Sequence, residues 1–434
     1  MKKIIGLLII CAIAVFSIVS IGRTNYKSYY SGDAVYFQNN IIIASTDSGS
    51  LEVFKQIGPN LERDIKLKAP NSPLDQTYDF SSVKLNVENG RLYAYATSAF
   101  TLYKYDITDL NRPVLFAKQK NTYYEWYNRV DKFGSNIVTI SNHNIRVWRS
   151  DLSSLDIINS YQVDNDVTSA VTFDSRGRYI ATINKDNLVR IYDTNTRTNI
   201  SVFPVNYRDT QSLRKSYFDP STGDLYVYDD YYLKRFDLSG NLVVSSPNSS
   251  VNSFAVEPSG NANYIYAVNG DSVMKLAKDN LRGGLKISAG NLTANGYAMG
   301  VKYVNTDGGE RIVVFNSGGI TVLNSSLGKL SKADATQIPD QPEVREPLAL
   351  SFDHNTATIG AVVNLSGAGY LPNEPLQITF GGAVTKLSAD NYGRFTQALT
   401  VPKVDNYIKS IDAKVDGLTS ELTYSTSFNM IQVK

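Results

Sequence analysis

At 434 residues the chain is too long for one ordinary core, so it holds two or three domains or a repeat architecture. Its 43 Lys and Arg stand against 41 Asp and Glu, a formal charge of +2 with no basic stripe, which argues against nucleic acid as a partner. The single cysteine, Cys11, leaves everything after residue 25 without a disulfide staple, a zinc-thiolate site or a cysteine nucleophile.

Lys2 and Lys3 precede an apolar run from Ile4 to Gly22, and Arg23 follows it. At 19 residues the run is about 28 Å long as a helix, enough to cross a bilayer core. The expectation for 1–25 is an N-terminal apolar helix, either a signal peptide with small residues at Ser20-Ile21-Gly22 or an uncleaved membrane anchor. In both cases Lys2 and Lys3 stay in the cytoplasm and the rest is exported, either membrane-anchored or secreted. Without Lys2, Lys3 and Arg23 the remainder carries 40 basic against 41 acidic residues, close to neutral.

After residue 25 short runs of Val, Ile, Tyr and Thr are punctuated by Asn, Asp and Gly, a β-rich pattern. One five-residue strand recurs: Leu51-Glu52-Val53-Phe54-Lys55, Leu102-Tyr103-Lys104-Tyr105-Asp106, Ile145-Arg146-Val147-Trp148-Arg149, Val189-Arg190-Ile191-Tyr192-Asp193, Leu233-Lys234-Arg235-Phe236-Asp237, Val273-Met274-Lys275-Leu276-Ala277 and Ile320-Thr321-Val322-Leu323-Asn324. The aromatic or Leu position returns every 40 to 51 residues, and seven copies imply seven blades of a β-propeller over 26–335. A second strand precedes each copy, joined to it by a Gly, Asn, Asp or Ser turn that hairpin geometry explains without a ligand. Radial stacking buries both faces of each sheet and leaves only short edges. For the closure, Tyr26 to Phe37 is expected to add a strand to the last blade.

The stretch Val171 to Asp193 resembles a WD40-type repeat, with Tyr192-Asp193 in place of the Trp-Asp pair and Asp186 in the preceding turn. Leu92 to Lys118 is similar to the propeller repeats of secreted prokaryotic proteins, through Asp106, Thr108, Asp109, Asn111 and Pro113. These resemblances imply the fold and leave activity open.

Pro339, Pro342 and Pro347 mark a linker over 336–347. Over 348–434 about seven short strands follow at the spacing of an immunoglobulin-like β-sandwich. Gly360 to Gly367, Gly369 to Pro375 and Ile378 to Gly382 resemble the Ig-like modules of prokaryotic cell-surface proteins, which act as spacers or adhesive units.

Catalytic motifs are sparse. The two histidines, His143 and His354, each fall in a predicted turn of a different domain, whereas metal or acid-base work needs several such groups converging. Ser45 to Gly49 opens like the Asp-box turn of sialidase propellers, and Asp164-Asn165-Asp166 and Asp229-Asp230 offer acids for glycoside hydrolysis. Asn305 to Glu310 offers oxygens without the twelve-residue calcium-loop pattern, and Ser366 to Gly369 is Gly-rich but opens no helix. No cofactor or metal site is expected. The binding candidates are aromatic and basic residues on the face of second-to-third-strand turns and blade connections: Tyr123, Tyr124, Trp126, Tyr127, Tyr207, Arg208, Tyr231 and Tyr232. The expected function is non-enzymatic binding or scaffolding at the cell surface, with a protein or cell-surface glycan as partner. The alternatives are a carboxylate-only hydrolase or lyase of extracellular polysaccharide, and a purely structural envelope protein.

Overall fold

The computed structural model describes residues 29, 31–47, 49–67, 79–120, 127, 129–141, 144–159, 171–183, 186–205, 216–229, 232–247, 251–256, 263–293, 296–334, 349–354, 356–370, 373–390, 393–403, 410–418 and 423–431. Among them, regular structure is β-strand throughout apart from one 3-10 turn at Ala289–Asn291. The expected apolar helix over Ile4 to Gly22 and the linker over 336–347 lie outside the described residues. No helix among the described residues is long and apolar enough to cross a membrane.

The chain between Asp33 and Asp334 forms seven four-stranded antiparallel units among the described residues, each from contiguous sequence. This is a seven-bladed β-propeller. The blades span 33–67, 82–120, 129–159, 171–204, 216–245, 253–288 and 298–334, and are numbered 1 to 7 here. Within each, the strands run in chain order from the inner strand to the outer one. The second and third strands are buried almost completely, as in Leu225–Tyr228 and Thr101–Asp106, because neighbouring blades cover both faces.

Each seam between blades has its own apolar core. Leu85, Leu92 and Tyr105 meet Ile42, Val53 and Ile65 between blades 1 and 2. Ala181, Ile191 and Phe203 meet Phe218, Leu225 and Phe236 between blades 4 and 5. The ring closes where Ile43, Phe54 and Leu61 of blade 1 meet Val313, Phe315 and Val322 of blade 7. Burying a Leu, Ile or Phe contributes about 1.5–3 kcal/mol, so each seam is a small core in its own right.

The closure differs from expectation. Asp33–Phe37 is the inner strand of blade 1, paired antiparallel with Asn40–Ser45, and adds nothing to blade 7. Blade 7 already takes all four of its strands from Ala298 to Asp334, so no position is open. Blades 7 and 1 are instead joined by side-chain packing and by one parallel bridge, Lys332 to Asn60, between their outer strands. Tyr29 reinforces this seam: its main-chain N–H donates to the Asn316 carbonyl of blade 7 at 3.2 Å, and its ring packs edge-on against Phe54 of blade 1.

All seven blades share a bulge. The pairing of third and outer strands shifts register immediately before Phe54, Tyr105, Trp148, Tyr192, Phe236, Leu276 and Leu323. The unpaired extra residue lies on the outer strand, and it is Phe116 in blade 2, Leu155 in blade 3, Ile200 in blade 4 and Val243 in blade 5. A bulge at a sheet edge increases the local twist and interrupts the row of free main-chain groups that another strand would need for pairing.

Beyond residue 348 the described strands form a three-stranded sheet (Ala349–Phe352, Val362–Ala368, Phe395–Thr400) and a five-stranded one. The latter runs Thr356–Thr358, Thr423–Ile431, Ser410–Gly417, Pro375–Phe380, Ala383–Ser388, with its first pair parallel. Leu365, Leu376, Ile378, Phe380, Val415 and Phe428 fill a common core, so the two sheets make a β-sandwich.

Candidate functional site

The eight aromatic and basic residues selected from the sequence fare unevenly. Tyr123, Tyr124, Trp126, Tyr207, Arg208 and Tyr231 lie outside the described residues. Tyr127 is not on a face: it is 2 % exposed, packed with Tyr95, Val130 and Trp148 in the seam between blades 2 and 3, and its N–H donates to the Ala99 carbonyl. Tyr232 is 37 % exposed in the second-to-third-strand turn of blade 5, where its N–H donates to Asp229 Oδ1.

The other polar groups singled out have structural work. Asp229 is fully buried and ion-paired with Lys234, while Asp230, Asp164 to Asp166 and His143 lie outside the described residues. Asp47 accepts hydrogen bonds from the Ser31 N–H and Oγ, which ties down the chain entering blade 1. Asp307 accepts from the Tyr36 hydroxyl at 3.0 Å across the closure seam. Ser366 to Ala368 is part of a strand rather than a loop, with Ser366 Oγ 3.0 Å from Thr396 Oγ1. His354 is exposed, its Nδ1 3.1 Å from Asp353 Oδ1. No group of three or more His, Cys, Asp or Glu among the described residues could hold a metal ion.

Two features come from the fold itself. The first is an open groove of about 560 Å³ between blades 1 and 2. It is lined by the inner-to-second-strand turn of blade 1 (Phe37, Gln38, Asn40), by Lys55, Ile57 and Asp64 of that blade, and by the third-to-outer-strand turn of blade 2 (Ile107 to Asn111). Because successive strands alternate in direction, these turns lie on the opposite side of the disc from the second-to-third-strand turns favoured by the sequence. Gln38 and Asn39 both have positive φ, 46° and 63°, as a tight two-residue hairpin turn requires. Gln38 has no glycine's freedom there, so mild backbone strain sits at the groove edge. Ile57 is 45 % exposed along the groove, next to amide and carboxylate groups. Partial burial raises the Asp64 carboxyl above its ordinary range against the pull of Lys55. A cleft of this size with a mixed apolar and hydrogen-bonding lining suits a small ligand or one end of a larger one.

The second feature is a charged cluster where inner strands face the axis. Lys84 of blade 2 lies 3.6 Å from Asp33 of blade 1 and 3.4 Å from Asp131 of blade 3. Lys302 of blade 7 is 3.5 Å from the other Asp33 oxygen, and Arg129 is 3.2 Å from Asp131. Asp33 also accepts the Leu85 N–H at 2.9 Å. Burial works against the Lys84 charge, but Asp33 and Asp131 outweigh it and hold the ammonium above its usual range. Asp131 feels the same burial, and Lys84 and Arg129 bring it down to about 2. Lys302 goes the other way, lowered by burial and by repulsion from Lys84. Tyr217 of blade 5 is raised by burial and lies in the field of Lys84 and Asp131. Lys132 donates to Asn86 at 2.8 Å beside the cluster. None of this was visible in the sequence, since the residues come from five blades and each reads as an ordinary polar position in a strand.

No protein-family model matches the chain, and no curated protein matches it. Among solved structures, a chain of a "Crystal Structure of Mitotic Checkpoint Complex" aligns with a TM-score of 0.48 at 13% identity, covering 66% of this chain and 84% of that one.

Proposed function

We propose that the protein is an extracytoplasmic, non-enzymatic binding or scaffold protein at the cell surface, and that its propeller binds a protein or a glycan through the groove between blades 1 and 2. The groove carries this reading: it is open, about 560 Å³ in volume, and combines the apolar Ile57 and Leu110 with the hydrogen-bonding Gln38, Asn40 and Asp109. Planar amides and carboxylates beside apolar carbons are the groups that bind sugar hydroxyls or an exposed peptide. The acids inside the blades support a non-catalytic role, because Asp33, Asp131, Asp229 and Glu88 are all held by lysines. Export rests on the sequence alone, on the apolar run Ile4 to Gly22 behind Lys2 and Lys3.

The test compares full-length protein in nonionic detergent with Ile57→Arg and Leu110→Arg variants on a glycan array and against an envelope extract. Binding lost in both variants, with the melting temperature unchanged, supports the groove; binding equal to wild type removes it. Protease cleavage of a C-terminal tag on intact cells reports export, and a tag cut only after lysis overturns it. A second reading, a carboxylate hydrolase of extracellular polysaccharide, draws on the raised Asp64 carboxyl in the same groove. Release of reducing ends that Asp64→Asn abolishes would establish it over pure binding.

A further inference from the structure

The axial cluster carries more positive than negative charge. Lys84, Arg129 and Lys302 face Asp33 and Asp131, three cations to two carboxylates, with each carboxylate shared between two of the cations. The carboxylates have little acceptor capacity left: Asp33 takes Lys84, Lys302 and the Leu85 N–H, and Asp131 takes Lys84, Arg129 and the Lys132 N–H. The donors, in contrast, are in surplus. Lys302 uses one contact of its three N–H groups, and that contact is long at 3.5 Å. Arg129 Nε is buried with no hydrogen-bond partner among the described residues, and Tyr217 lies within the field of Lys84 and Asp131. A buried donor without an acceptor is costly, and surplus cationic charge in a partly desolvated site is more so.

Surplus donors and surplus positive charge in one place are satisfied by the same thing. We propose that the axial cluster is a binding site for an oxyanion, a carboxylate or a phosphate, received among Lys84, Lys302, Arg129 and Tyr217. Lys302 and Arg129 meet the ligand from the solvent side, their side chains being 39 % and 40 % exposed where that of Lys84 is 20 % exposed. An anion restores charge balance and gives the surplus N–H groups an acceptor, the charge-assisted bonds that are strongest in a partly dry site. The site is separate from the groove and does not depend on the reading given above.

The experiment is a thermal shift titration of the full-length protein with D-glucuronate, inorganic phosphate, glucose and chloride at matched ionic strength, followed by calorimetry for any probe that stabilises. A ligand that binds only the folded state raises the melting temperature in proportion to its saturation. The expected result is stabilisation by glucuronate or phosphate but not by glucose or chloride. The probe that acts identifies the oxyanion as carboxylate or phosphate. Lys302→Met is expected to weaken binding more than tenfold, Lys302→Arg to keep it within about threefold, and Tyr217→Phe to weaken it about fivefold, the worth of one hydrogen bond. If Lys302→Met fails to fold, the Arg and Phe variants still decide. No stabilisation by either oxyanion, an equal shift with chloride, or unchanged affinity in Lys302→Met and Tyr217→Phe overturns the proposal.

Discussion

Lys104 Nζ donates to the Ser150 carbonyl at 2.7 Å, from the third strand of blade 2 to the third-to-outer-strand turn of blade 3. Lys275 repeats the contact from blade 6, donating to the Ser325 carbonyl of blade 7 at 2.9 Å. The surroundings match as well. Each ammonium lies over a tyrosine of the preceding strand, Lys104 3.8 Å from the Tyr93 ring and Lys275 4.0 Å from the Tyr264 ring. A second tyrosine hydroxyl donates to a glutamate, Tyr95 to Glu88 at 2.5 Å and Tyr266 to Glu310 at 3.1 Å. The same repeat position therefore serves twice as a polar latch across a seam, where blades 1, 3, 4 and 7 place Val53, Val147, Ile191 and Val322 and blade 5 places Arg235, paired with Asp224 of its own blade.

Removing the cation from the better buried latch leaves a carboxylate behind. Lys104 is 2 % exposed and pairs with Glu88 at 2.8 Å. Lys104→Met is expected to cost about 3 kcal/mol, the usual consequence of breaking one side of a buried pair. The double variant Lys104→Met, Glu88→Gln should recover part of that loss. Urea denaturation followed by tyrosine fluorescence measures both.

At the closure, the Tyr29 hydroxyl donates at 2.5 Å to Glu52, which is fully buried and also held by Arg63 at 3.1 Å. Tyr29→Phe keeps the ring on Phe54 and removes only the hydroxyl. The expected cost is about 2 kcal/mol, typical of a hydrogen bond to a charged acceptor. Amide exchange should then rise first at the strands of blades 1 and 7. Uniform exchange across all blades would show that Tyr29 has no special place in the closure.

Acid should loosen the axis. Asp131 is held at about 2 in the folded chain, below its ordinary carboxylate value, and a group lowered by folding stabilises above its unfolded value. That contribution is complete above about pH 5 and is lost as pH falls from about 4 through 2. Its size is about 1 kcal/mol, since a third of the side chain meets solvent and screening reduces the effect. The midpoint temperature of Asp131→Asn should fall less steeply than that of wild type over this range; parallel curves would exclude Asp131 as the source.

Two glycines touch where blades 3 and 4 meet. Gly134 and Gly177 have φ of 59° and 74°, and a β-carbon on Gly177 would stand 3.2 Å from the Gly134 α-carbon. Gly177→Ala is expected to cost about 1–2 kcal/mol from the left-handed conformation alone, with the close approach adding to it. Gly58→Ala is the control, since its φ is also positive, 56°, and nothing lies within 4 Å of its added carbon. The difference between the two midpoints isolates the contact.

The propeller was legible because one local pattern recurs: the third strand needs an aliphatic residue, a variable one and an aromatic or Leu in every blade, and Val189 to Asp193 states it clearly. The sandwich strands were legible for a related reason, strict alternation in runs such as Ile411-Asp412-Ala413-Lys414-Val415; Thr356–Thr358, three residues without an apolar rhythm, gave no such signal. The bulges were hidden because the extra residue has no fixed chemistry, being Asp64 in blade 1, Phe116 in blade 2 and Gly284 in blade 6. The groove and the axial cluster were hidden because they are assembled across blades. Tyr127 misled because an aromatic residue in a connecting stretch reads the same whether the chain turns it outward or into the next seam.

The blade-by-blade closure has a consequence for how the chain is made. Every blade takes its four strands from its own stretch of sequence, so none waits for a strand from the far end of the ring. As the chain emerges during synthesis, blade 1 can pair at once and each later blade can settle on the one before it. The last event is then a docking of two finished surfaces, Phe54 and Ile43 against Phe315 and Val313, with no segment to be threaded or exchanged. A ring assembled this way has few opportunities to swap a strand with a neighbouring copy, a hazard that crowding of newly made chains makes most acute.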